Sequence, residues 1–154
     1  MTPPPARFNP FARPPLSAPD IDLHPRLARD GVWLGRLSAC QLLLMNDSRY
    51  PWLILVPNQE GLTAFDLLPE PLVPLVHDDI RRAGQALRTL FQPDRLNVAA
   101  LGNLVPQLHI HLIARFQQDA AWPGPVWGLH PPLPYGEQAL QEQSARLCAA
   151  LGMG

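Results

Sequence analysis

Residues 97–115, NVAALGNLVPQLHIHLIAR, decide how this chain reads. Gln107, His109 and His111 stand two apart, and Leu108, Ile110 and Leu112 fill the gaps. That is the period of a β-strand with two unlike faces. The apolar face suits a core. Three polar side chains in a row on the other face are costly to bury unless they meet solvent, one another or a ligand. Chemistry is expected on the imidazole face.

Working upstream, Leu96 to Ala100 reads as a second strand, joined to Gln107–Arg115 by a tight loop through Gly102 and Asn103. Before it the period changes. Leu72, Val76, Ile80, Ala83, Leu87 and Leu90 or Phe91 recur at three and four, with Arg81, Arg82, Gln85 and Arg88 mostly on the opposite side. This predicts one amphipathic helix, with Pro74 in its first turn. Asp78 and Asp79, placed ahead of the arginines, suit the helix dipole. Pro51 to Pro57 is a short apolar run bounded by prolines, read as a strand buried on both sides. Val32 to Met45 reads as a hairpin, and Ile21 to Arg29 as a short helical turn with Asp22 as N-cap and Pro25 in its first turn.

Downstream of Arg115, the stretch AWPGPVWGLHPPLPYG is irregular. Trp122 and Trp127 within it read as packing residues outside any site. Gly136 to Leu151 closes the chain with a second helix, stopped by Gly152. Strands, one long helix inside the strand series and a terminal helix, without βαβ alternation or a glycine-rich phosphate loop, predict an α+β fold. Its sheet is expected to be antiparallel, with about five strands.

A length of 154 residues suits one domain burying roughly two-thirds of its unfolded surface. Residues 1–20, dense in proline, are expected to be an extension carrying Phe8 and Phe11, with the domain at 21–154. The formal charge is −1 and the basic residues, all arginine, are scattered, so there is no electrostatic footprint for nucleic acid or an anionic membrane. Cys40 and Cys148 lie far apart in apolar segments and read as reduced thiols. No apolar run approaches the ~20 residues of a membrane span. A soluble cytoplasmic protein is expected.

Three readings of the histidine strand compete. The pair can be structural and hydrogen-bonded, since histidine is common at half-buried positions. It can bind a metal, as two ligands of a site whose others would come from His24, His77, His130 or distant carboxylates. Or it can serve nucleophilic catalysis on phosphorus: a neutral imidazole is a nucleophile at pH 7, and a second one nearby can donate a hydrogen bond to a phosphate oxygen. The Gly102-Asn103 turn would add a backbone donor.

The run GNLVPQLHIHLIAR strongly resembles the signature of the histidine triad (HIT) superfamily, H-x-H-x-H with apolar x, behind a Gly-polar-x-Val segment. LLLMNDSRYPWLILVP resembles the family's strand, Asn/Asp and strand unit, and the long helix falls between the two. The likeness covers roughly residues 20–128 and implies a homodimer that binds a nucleotide and acts at its α-phosphate. By that resemblance His109 is the nucleophile, His111 the third triad member and Gln107 stands where the first histidine belongs. A glutamine there serves if the position works through its backbone carbonyl. In the related galactose-1-phosphate uridylyltransferases a glutamine replaces the third histidine. Asn46 matches the Asn/Asp that holds the ribose hydroxyls, while Asn97 and Asn103 match polar residues lining the phosphate path, beside Gly102. The resemblance implies no required cofactor, with a divalent cation accompanying polyphosphate substrates. The alternative is a nucleotide-binding module without turnover.

Overall fold

The computed structural model describes residues 20–153; residues 1–19 of the proline-rich extension, with its two phenylalanines, fall outside them. Five antiparallel strands form one sheet: β1 (Gly31–Arg36), β2 (Cys40–Met45), β3 (Trp52–Pro57), β4 (Arg95–Ala99) and β5 (Ile110–Arg115). Their order is β1-β2-β3-β5-β4, so β5 inserts between β3 and β4. Three helices accompany them: α1 (Pro25–Asp30), α2 (Val73–Phe91) between β3 and β4, and α3 (Glu137–Ala150) at the end. The α+β architecture is as the hydrophobic periods predict.

The central strands β2, β3 and β5 are buried on both faces, which explains the unbroken apolar run of β3. Leu42, Leu44, Leu53, Leu55, Leu108, Ile110 and Leu112 pack beneath the helices against Val76, Ala83, Leu87 and Leu147. The alternate residues Leu43, Trp52, Ile54 and Ile113 face the other way and join Leu27, Tyr50, Val105 and Val126. This second layer carries the histidines. α2 lies close to the sheet at Gly84, where an added Cβ would come within 3.1 Å of Leu96 Cδ2. No described helix is long and apolar enough to cross a membrane.

Three local expectations change. The N-cap of α1 is His24, whose Nδ1 accepts from the Arg26 amide, rather than Asp22. Pro25 then occupies the first turn, where its missing N–H costs nothing. Asp79 is not a surface partner for the helix dipole. It is fully buried, and its carboxylate accepts the amides of Ser38, Ala39 and Cys40 at 2.9, 2.7 and 3.0 Å, tying the β1–β2 turn to α2. Finally, β4 and β5 are joined by the long segment 100–109 rather than a tight loop, and sheet pairing starts at Ile110, opposite Leu55. Pro106 has no N–H to offer a ladder, and the Leu108 amide bonds to the Leu62 carbonyl at 2.9 Å instead.

Candidate active site

On the sheet face away from α2 and α3 lies a cleft of about 650 Å³. α1 supplies one wall through Arg26, Leu27, Arg29 and Asp30; the segment Leu101–Val105 supplies another. Val126, Trp127, Gly128, His130 and Pro132 close the third side, above a floor that includes Trp52, Ile54, His109 and His111.

The two histidines are 8 % and 6 % exposed, with ring centroids 4.9 Å apart and planes near perpendicular at 72°. Their hydrogen bonds set opposite tautomers. His109 Nδ1 lies 2.8 Å from the carbonyl of Gln107. A carbonyl only accepts, so Nδ1 carries a proton, and in the neutral ring Nε2 is the nitrogen with the lone pair. At His111 the arrangement is reversed: Trp52 Nε1, which can only donate, reaches His111 Nδ1 at 3.0 Å. His111 therefore carries its proton on Nε2. Burial, and secondarily the neighbouring His109, push the His111 pKa down to about 3, so it stays neutral at physiological pH. One lone pair and one N–H donor stand side by side on the floor of the cleft.

Aromatic rings hold His111 in place. Its ring centroid is 5.6 Å from that of Trp52 and 5.3 Å from that of Trp127, and the two indoles meet edge to face at 6.4 Å. Trp127 thus belongs to the site, although an aromatic in a proline-rich loop reads as packing. Trp122 does sit outside, with the Arg115 guanidinium 5.7 Å from its ring centroid. His130 also lines the cleft, its Nε2 3.0 Å from the buried Tyr50 hydroxyl.

Of the residues singled out in the sequence, His109, His111, Gly102 and Asn103 gather at the cleft. Gly102 has φ +72°, the left-handed conformation that glycine adopts without strain. Three others do not line it. Asn97 sits on β4, where its Oδ1 accepts from Arg115, which also forms a buried ion pair with Asp119 at 2.7 Å. Asn46 turns its Oδ1 to the Tyr135 amide at 2.9 Å, fastening the C-terminal loop. The cleft-lining residue of that turn is its neighbour Asp47. Burial works against the Asp47 charge, but hydrogen bonds from the Arg49 side chain and amide hold its carboxyl below the usual carboxylate range. Arg49 grips both of its oxygens, at 3.0 and 2.8 Å. Gln107 gives the site its backbone carbonyl, while its side chain points into a different set of contacts, to the segment before α1. Among the described residues, no three His, Cys, Asp or Glu side chains are grouped to hold a metal ion.

The geometry agrees with the comparisons. The HIT domain family model matches residues 28–118, more than half of the chain. The chain is 41% identical to a histidine triad protein from Bradyrhizobium japonicum, covering 86% of this chain and 99% of that one at a TM-score of 0.83. A histidine triad protein from Marinobacter aquaeolei is 44% identical over 87% of this chain and 98% of that one, also at a TM-score of 0.83. One from Sinorhizobium meliloti is 41% identical, covering 84% and 96% at a TM-score of 0.77. No curated protein matches the chain. With the family model spanning both histidines and all five strands of the sheet, this chain belongs to the histidine triad family.

Proposed function

We propose that the protein is a nucleotide hydrolase or transferase that works at the α-phosphate of a nucleoside phosphoester, polyphosphate or phosphoramidate. The opposed tautomers of His109 and His111 carry this reading. His109 Nε2 attacks phosphorus in line, forming a P–N bond as the bond to the leaving group breaks; the leaving group departs with that bond's electron pair and takes a proton from solvent. The proton on Nδ1 stays against the Gln107 carbonyl, which stabilises the positive charge that the ring acquires. His111 Nε2–H and the backbone of the Gly102-Asn103 turn donate to the phosphoryl oxygens as charge builds there. Water or another acceptor then attacks phosphorus, the P–N bond breaks, and the acceptor's proton leaves to solvent. His109 returns to its neutral form.

Asp47, an ionised acceptor fixed by Arg49, is suited to the ribose hydroxyls, and the apolar wall of Leu27, Met45 and Ile54 to the base. The covalent step needs no cofactor in this scheme, and a divalent cation would accompany a polyphosphate tail. β4 is an edge strand with Val98 47% exposed, which supports a homodimer continuing the sheet across that edge. Free Cys40 and Cys148 fit a cytoplasmic location.

The test is AMP release from adenosine 5′-phosphoramidate and diadenosine tetraphosphate, with AMP binding measured in parallel. Turnover by the wild type that falls at least a thousandfold in His109→Ala supports the reading. AMP binding without release of AMP from either substrate would replace it by a binding module that does not turn over.

A further inference from the structure

We infer that Gln107 is a positioning residue, a clamp between the nucleophile and the α1 wall of the cleft, rather than a weakened catalytic histidine. Its side-chain amide makes two bonds to one short stretch of backbone. Oε1 accepts the His24 amide at 2.7 Å, and Nε2 donates to the Asp22 carbonyl at 2.8 Å. The two groups flank Leu23, so the glutamine grips it from both sides, as a residue of a neighbouring parallel strand would. The same residue's carbonyl fixes the His109 ring at 2.8 Å. From His24 the restraint passes on: its Nδ1 caps the Arg26 amide at 3.1 Å. The helix so started places Arg26, Leu27, Arg29 and Asp30 along the cleft, with Leu27 only 4% exposed.

Glutamine suits this task and histidine does not. The oxygen and one N–H of a primary amide point side by side, matching a C=O and an N–H on the same edge of an extended chain. The two nitrogens of an imidazole diverge across the ring, so one ring cannot satisfy both groups. α1 has only six residues, too short to hold its place by helix formation alone. Its position depends on Leu27 and on the capped, clamped segment ahead of it.

This inference rests on the nucleotide reading of the cleft, and its test separates the two. Gln107→Glu keeps the acceptor but sets a carboxylate against the Asp22 carbonyl; Gln107→Ala removes both bonds; all variants retain the backbone carbonyl. The dissociation constant of AMP should rise about tenfold in both, the worth of about one hydrogen bond. KM should rise by a similar factor, while kcat falls less than threefold. Backbone amide exchange across residues 22–30 should quicken by at least tenfold, with exchange in β2 and β3 unchanged. Gln107→His should lose affinity in the same way and gain no kcat. The clamp is overturned if Gln107→His raises kcat tenfold or more, which would mark the position as a catalytic one. It is equally overturned if AMP affinity and exchange are unaltered in Gln107→Glu and Gln107→Ala. If the wild type releases no AMP from any substrate, the hydrolase reading fails, and affinity and exchange still decide the clamp.

Discussion

Trp52 and His111 are diagonal neighbours on the paired strands β3 and β5, where Ile54 stands opposite His111, and the indole Nε1 donates to the imidazole Nδ1 at 3.0 Å. That bond selects the tautomer of His111 and leaves its hydrogen on Nε2. Trp52→Phe keeps the ring and removes the donor. The expected outcome is a fall in kcat of about tenfold, the worth of one hydrogen bond. Nitrogen NMR of the variant should show His111 as a tautomer mixture, against a single Nε2–H form in the wild type.

His111 also makes stability depend on pH. Its folded pKa is about 3, against the ordinary value of 6.5, because burial disfavours the imidazolium. As pH falls below about 6.5, the unfolded chain takes up this proton and the folded one does not, so stability is lost between that pH and about 3. Above pH 6.5 the contribution is fully present. The slope from this group reaches at most about 1.4 kcal/mol per pH unit. Urea unfolding at pH 7, 6 and 5 should show this loss, and His111→Gln should flatten it.

Asp47 and Asn46 are neighbours with different tasks. Asp47 lines the cleft, whereas Asn46 bonds the Tyr135 amide. Asp47→Asn should weaken AMP binding about tenfold, one charge-assisted hydrogen bond. Asn46→Ala should instead cost about 1 kcal/mol of folding stability. Titration calorimetry and thermal unfolding of the two variants should separate them cleanly.

The buried carboxylate of Asp79 holds the β1–β2 turn through three amides. Asp79→Ala strands those donors and should destabilise the protein by about 3 kcal/mol. AMP affinity, measured well below the melting temperature, should change little, because the turn lies away from the cleft lining.

The parts of the fold legible in the sequence are those that a local period can report. The hairpin of β1 and β2, the apolar run of β3, the 3.6-residue rhythm of α2 and the alternation around His109 all translate into structure. Contacts made at long range leave no such trace. The insertion of β5 between β3 and β4 brings Trp52 to His111, 59 positions away, and no spacing announces it. Asp79 reads as one acid among helix charges because the turn that it holds is 40 residues distant from it. Trp127 reads as packing because loops rich in proline carry no period from which to infer a direction. Gln107 is the instructive case: a departure from the histidine pattern is visible in the sequence, and its two bonds to the backbone around Leu23, some 80 positions upstream, are not.

The proposed reaction turns on a covalent bond between His109 and phosphorus. Its most direct test is to mix the wild-type protein with adenosine 5′-phosphoramidate, quench within milliseconds under alkaline denaturing conditions that preserve a phosphoramidate bond, and map the modified peptide by mass spectrometry. The expected result is an adenylyl group on the peptide containing His109, absent from His109→Ala and lost on acid treatment. Release of AMP at full rate with no adenylylated protein at any time, or with turnover intact in His109→Ala, would contradict it.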